Sequence, residues 1–167
     1  MTIEELLIVE EIRTLKAKYC HCLDLKDWDG WSNLFTRDAS LITDTAVSSQ
    51  GEDPKSFPEV RGRQAIRKMV SEFLTGAATV HQCHTPIIEI TSPNTATGIW
   101  AMEDVVRMPG HHLHARGHYR EHYAIEEGRW RIASLHLTRT MIDMFEGVAN
   151  PLQHLSSPGS EPSKERR

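Results

Sequence analysis

Residues 12–24 read IRTLKAKYCHCLD. Ile12, Leu15, Tyr19 and Leu23 recur at three- and four-residue spacing, the period of one buried stripe on an α-helix. The helix they belong to begins near Thr2, an N-cap with Glu5 three positions on to complete a capping box. Tyr19 lies on the stripe, so its phenol enters the interior and needs a partner there. Asp24 follows five residues later, where the helix runs out. Together they predict a polar pocket inside an apolar core. The alternative is a hydrogen-bonded core tyrosine and a surface carboxylate near a helix end.

The flanking sequence supplies the rest of the fold. Asp27 caps a short second helix that turns Trp28, Trp31, Leu34 and Phe35 inward. Residues 38–43 (DASLIT) alternate as a strand, and 44–60 mix Ser, Gly, Pro, Asp and Gln as a loop or lid. After Gly62 a third helix over 63–74 carries Ile66, Met69, Val70 and Phe73 on one stripe. From residue 79 the period becomes two. Strands are expected over 80–91 (bent at Pro86), 95–108, 114–126 and 130–143, with turns at Ser92-Pro93-Asn94, Pro109-Gly110 and Glu127-Gly128. Such short connections make an antiparallel meander. The class is α+β: helices packed on one face of a curved, mostly antiparallel sheet. Residues 1–150 read as one domain, and 151–167 as a polar tail with little to bury, expected to be disordered.

Composition narrows the function classes. A net charge of −4 offers no basic patch for nucleic acid. Three cysteines, Cys20, Cys22 and Cys83, make no paired disulfide framework and point to a reducing, cytoplasmic setting. The acidic N-terminus is no signal peptide, and no run of about 18 apolar residues exists to cross a membrane.

Histidine and carboxylate mark the sheet half. In VHQCHT (80–85), His81 and His84 fall on opposite strand faces, so one of them faces the helices. His114, Arg116, His118, Arg120 and His122 share one parity and form a solvated or subunit-facing surface; Tyr119, Glu121 and Tyr123 share the other. His81, Cys83, His84, His111 and His112 are zinc-ligand types, but neither a helical paired-histidine motif nor a CxxC organises them, so no metal is expected. Asp104 shares a face with Trp100 and Met102, and Arg131 and Arg139 flank the apolar residues of the last strand.

The segments IRTLKAKYCHCLDLKDWDGWSNLFTRDA, RGRQAIRKMV, TATGIWAMED and GHYREHYAIEEGRWRI, in this order, resemble the SnoaL-like branch of the nuclear-transport-factor-2-like superfamily. The resemblance spans residues 3 to 145 and implies a cone-shaped roll, a fold shared by dehydratases, isomerases, epoxide hydrolases, dehydrochlorinases and proteins without activity. Among its enzymes the chain is most similar to bile acid 7α-dehydratases, with scytalone dehydratase and hexachlorocyclohexane dehydrochlorinase further off. The resemblance implies an Asp on the first helix orienting a His on the sheet, positions matched here by Asp24 and His84. It also matches Tyr19, Asp104 and Arg139 to site residues and Arg131 to a dehydrochlorinase arginine. A second pocket tyrosine of the bile acid enzymes falls at about Thr43. It further implies a homodimer or homotrimer through the sheet.

These residue types fit a dehydration. Removing a weakly acidic C–H proton and expelling hydroxide needs a base near neutral pKa, which a His held in one tautomer by Asp provides. Tyr19 would donate a hydrogen bond to the developing oxyanion or departing oxygen. A cone lined by Trp28, Trp31, Phe35, Phe73, Trp100 and Met102 would hold a small hydrophobic, ring-containing hydroxylated substrate, with Thr43 in the pocket and Arg131 and Arg139 placing a cation at its rim. No cofactor is required. The expectation is a dehydratase-type lyase. The alternatives are a non-catalytic small-molecule-binding protein and an isomerase or hydrolase of the same fold.

Overall fold

The structure, a computed structural model, describes residues 2–44 and 57–146. Most of the expected lid (45–56) and the whole tail (151–167) lie outside the described residues. Helix α1 (Ile3–Leu25) opens on Thr2, whose side chain accepts from the Glu5 backbone N–H while the Glu5 carboxylate accepts from the Thr2 N–H. It buries Ile12, Leu15, Lys16, Tyr19 and Leu23. It ends at Leu25 where about Leu23 was expected, and its C-cap Lys26 takes a left-handed conformation (φ 61°) with no glycine to favour it. Helix α2 (Trp28–Ser32) is capped by Asp27, which accepts from Gly30 N–H. Helix α3 (Arg63–Leu74) has the expected bounds.

Seven strands form one sheet among the described residues: β1 (Phe35–Asp44), β2 (Val60–Arg61), β3 (Ala78–Cys83), β4 (Ile87–Ser92), β5 (Thr95–Met108), β6 (His111–Glu126) and β7 (Arg129–Glu146). Their order is β2-β1-β7-β6-β5-β3, with β4 also paired to β5. The long central strands pair antiparallel, as the hairpin-sized turns require. The meander expectation needs two corrections. Strand β1, which precedes α3 in the chain, adds to β7 in parallel, and the segment expected as one bent strand is two, β3 and β4, which pair with different halves of β5. Pro86 cannot donate a ladder hydrogen bond, and the strand breaks there. Phe35, expected on α2, begins β1 instead.

Register shifts at Arg116/Gly117 and His122/Tyr123 interrupt the β6–β7 ladder, and such bulges bend a sheet. A Cβ on Gly117 would lie 2.0 Å from the Thr138 carbonyl oxygen, so the approach of β6 to β7 at this position depends on glycine. Helix α1 lies chiefly on β3, and α3 on β1. The concave face carries the core: Tyr19 packs on Trp31, Phe35 and Tyr119 at ring-centroid distances of 5.5, 6.1 and 5.7 Å. The chain thus has helices over a curved, mostly antiparallel open sheet. Among the described residues no helix is long and apolar enough to cross a membrane.

Candidate active site

Asp24 ends α1 directly over β3. Alternation along β3 turns Thr79, His81 and Cys83 toward the helix and leaves Val80 and Gln82 exposed. Asp24 Oδ1 is 2.6 Å from His81 Nδ1, and its Oδ2 accepts from the His81 backbone N–H at 2.9 Å. Thr79 Oγ1 donates to Oδ1 at 2.9 Å and itself accepts from Lys26 Nζ at 2.5 Å. Burial works against the Asp24 carboxylate, but the hydrogen bonds from His81 and Thr79 hold its pKa below the ordinary value. An ionised carboxylate only accepts, so His81 Nδ1 carries a proton, and in the neutral ring Nε2 keeps the lone pair. The His81 side chain is 6% exposed and that of Asp24 24%.

The expected Asp24–His84 pair is therefore corrected to Asp24–His81. His84 lies past the end of β3, exposed, where its backbone N–H bonds to the Ala101 carbonyl as the chain turns toward Pro86. Both histidines line one cavity of about 410 Å³, together with Arg13, Lys16, Cys20, Cys83 and Trp100.

Asp104 faces His81 across the β3–β5 register, so the two side chains leave the same face of the sheet. Arg139 Nη2 donates to Asp104 Oδ2 at 2.9 Å, and neither residue is in the wall of that cavity. Asp104 Oδ1 and Arg139 Nε are buried without a hydrogen bond among the described residues, an uncommon arrangement in a folded interior. Tyr19 is buried in the aromatic core. Burial, then the Glu121 charge, raise its pKa well above the usual phenol range, so it stays protonated.

Of the expected pocket residues, Trp100 is in the cavity wall. Trp31, Phe35 and Met102 are buried in the core, Trp28 is half-buried at its edge, and Thr43 is half-buried on β1. Phe73 is corrected: it is 64% exposed, because α3 turns Ile66 and Leu74 to the core instead. Arg131 is corrected as well. Its guanidinium is tied to the Asn33 carbonyl and to Glu126 and Glu127, where it clamps the α2–β1 junction. Among the described residues, no group of three or more His, Cys, Asp and Glu side chains is arranged to hold a metal ion.

Sequence reasoning missed a second polar feature. Lys16 Nζ, with its side chain 1% exposed, pairs with Glu121 Oε1 at 2.5 Å and sits 3.9 and 3.5 Å from the ring centroids of Tyr19 and Tyr119. Tyr123 Oη donates to the other Glu121 oxygen and accepts from Trp100 Nε1 at 2.8 Å. The signal was present: Lys16 interrupts the buried stripe of α1, and Glu121 alternates with Tyr119 and Tyr123 on the inward parity.

A profile of the SnoaL-like domain matches residues 4–136. The chain belongs to the SnoaL-like family. Solved structures share the fold of this SnoaL-like protein. A variant of Rv3472, a protein of unknown function from Mycobacterium tuberculosis, is 23% identical with a TM-score of 0.64 over 81% of this chain and 73% of that one. A protein from Novosphingobium aromaticivorans, provisionally assigned as a scytalone dehydratase, is 19% identical with a TM-score of 0.70 over 90% and 94%. The type-3 hexachlorocyclohexane dehydrochlorinase LinA of Novosphingobium barchaimii is 13% identical with a TM-score of 0.71 over 87% and 95%. At these identities the likeness is one of fold, the nuclear-transport-factor-2-like cone.

Proposed function

We propose that this SnoaL-like protein is a cofactor-independent, dehydratase-type lyase acting on a small, hydrophobic, ring-containing hydroxylated molecule. The observation that carries the reading is the Asp24–His81 pair opening onto the cavity. The carboxylate grips both the ring N–H and the backbone N–H of one histidine, which fixes ring direction and tautomer together. That leaves Nε2 as the base that takes a proton from substrate carbon, while Asp24 stabilises the imidazolium as it forms. Trp100 offers an apolar wall to the cavity onto which His81 opens. The fold's solved relatives that carry dehydratase and dehydrochlorinase names support an elimination.

An epoxide hydrolase of this fold would need two carboxylates about one arginine. Arg139 holds Asp104, but Asp24 is committed to His81. That division supports proton abstraction from carbon over activation of water. Assembly through the sheet belongs to the same reading, supported by the exposed outer face around Val80, Arg120 and His122; sedimentation showing a monomer would remove it.

The test is a mass-spectrometric screen for loss of water from hydroxysteroids, hydroxy-ketones and polyketide-derived ring compounds. His81→Ala should lower turnover by about 10²–10⁴-fold, and His84→Ala by far less. Stabilisation of the fold by these compounds without turnover would replace the lyase reading with that of a binding protein. Equal losses in the two variants would remove His81 as the base.

A further inference from the structure

Helix α1 and strand β3 are joined by two rungs. Asp24 meets His81, and one helical turn back Cys20 meets Cys83, with the sulfurs 3.5 Å apart. The spacing has a physical basis. Four helical residues rise about 6 Å and two strand residues about 6.6 Å, so a helix running antiparallel to a strand can match every fourth residue to every second. The Cys20–Cys83 rung takes no part in the proton transfer described above. Both thiols are half-buried and both line the cavity, so a small reagent entering it reaches them.

We propose that Cys20 and Cys83 form a dithiol that closes reversibly to a disulfide when a small hydroperoxide enters the cavity, making this wall a redox modification site. The sulfurs are already at van der Waals contact, and bonding distance requires an approach of about 1.5 Å. The hydrogen bond between the thiols, outweighing burial and aided by the Lys16 charge, lowers the pKa of Cys20. That same bond, together with burial, pushes Cys83 up. The two are thus unequal, an attacking and a resolving thiol. In the first step the Cys20 thiolate attacks the hydroperoxide. The O–O bond breaks, the departing oxygen takes a proton and leaves as alcohol or water, and Cys20 becomes the sulfenic acid. In the second, the Cys83 sulfur attacks the Cys20 sulfur. The S–S bond forms, the S–O bond breaks, and the hydroxide leaves with the Cys83 proton as water. Two thiols lose two hydrogens and one hydroperoxide is reduced.

Cys22 provides an internal control. Two residues from Cys20 on a helix it faces another direction, and burial, then Asp27, raise its pKa. The proposal concerns thiol chemistry alone and stands whether or not the lyase reading does.

The experiment treats the whole wild-type chain with a stoichiometric amount of hydrogen peroxide. The intact mass should fall by two hydrogens, and a thiol reductant should restore it. Residues 19–26, a single tryptic peptide, contain both Cys20 and Cys22. A Cys22→Ser chain should therefore still form the bond, placing it between Cys20 and Cys83. Because it ties positions 63 residues apart, it should raise the melting temperature by roughly 5–10 °C. In Cys83→Ser the mass loss should vanish and a sulfenic acid should be trapped at Cys20 by a dimedone-type reagent. Direct passage of wild-type Cys20 to sulfinic acid with Cys83 still a thiol would overturn the proposal. So would a bond that involves Cys22, or no mass loss at all.

Discussion

Helix α1 meets the sheet at Lys16 and again two turns later at Asp24, and the two contacts are built on opposite terms. Lys16 is closed off: its ammonium is sandwiched by two tyrosine rings, neutralised by Glu121, and linked through Tyr123 to Trp100. Asp24 is half-open and binds a single histidine whose second nitrogen is left uncommitted. A charge neutralised on every side holds a structure together. A charge that orients a neighbour and leaves that neighbour one free lone pair can do chemistry. The helical period places both on one face, so the distinction lies in what the sheet offers opposite each.

The sharpest way to break this contrast is at Glu121. Glu121→Ala leaves the Lys16 ammonium buried without its counter-charge and should cost about 3–5 kcal/mol in urea unfolding. The paired change Lys16→Met with Glu121→Leu should recover most of that loss, because apolar pairs of similar volume replace buried ion pairs at little cost. A Glu121→Ala loss below about 1 kcal/mol would show that Lys16 finds water or another partner, and that the closed contact is not closed.

Next in size is Gly117. Gly117→Ala drives a Cβ against the Thr138 carbonyl beside a bulge on β7, opposite Arg139. The ladder must shift, at about 1–3 kcal/mol. Because Arg139 holds Asp104, the same shift should weaken the open site while the Lys16–Glu121 contact persists. Unchanged thermal unfolding would mean that the bulge yields freely.

Much of this was legible from residue spacing. The Thr2 capping box, the bounds of α3 and β5, and the inward aim of Tyr19 and Asp104 all follow from local pattern, where neighbours three, four or two residues apart set the outcome. The base was not legible in the same way. Alternation puts His81 and His84 on opposite faces, but which face α1 covers depends on the seating of a helix on a strand more than 50 residues away in sequence. The parallel addition of β1 to β7 is equally remote from local pattern. Lys26 ends α1 in a left-handed turn that glycine would ordinarily announce, and its side chain then reaches Thr79, so the site's support is assembled where the residue type gave no warning. Phe73 shows the reverse case: a helical stripe of apolar residues is wider than the strip the sheet can cover.

Acid sharpens the comparison further. The Asp24 carboxyl, working against burial, is held below its ordinary pKa by His81 and Thr79. Its contribution to stability is therefore fully present above the unfolded value of about 4 and is lost as pH falls through the lower folded value. The stability gap between wild type and Asp24→Asn should narrow and close as pH falls below about 4. A gap that persists unchanged into strong acid would mean that the carboxylate's charge contributes nothing to the pair.

The smallest expected effect lies at Thr79, and it separates orientation from mere attachment. The hydroxyl donates to Asp24 Oδ1 and accepts from Lys26 Nζ, so Thr79→Val removes one hydrogen bond from a carboxylate that keeps two from His81. The stability cost should be about 0.5–1.5 kcal/mol by thermal or urea unfolding. If the two His81 bonds suffice to orient the ring, turnover should fall by only a few fold, mostly in kcat, because the base keeps its tautomer while the carboxylate gains freedom to rotate. A loss as large as that of His81→Ala would mean that the Lys26–Thr79–Asp24 chain sets the ring's direction. The open contact would then be as tightly specified as the closed one, with its constraint placed on the side away from the cavity.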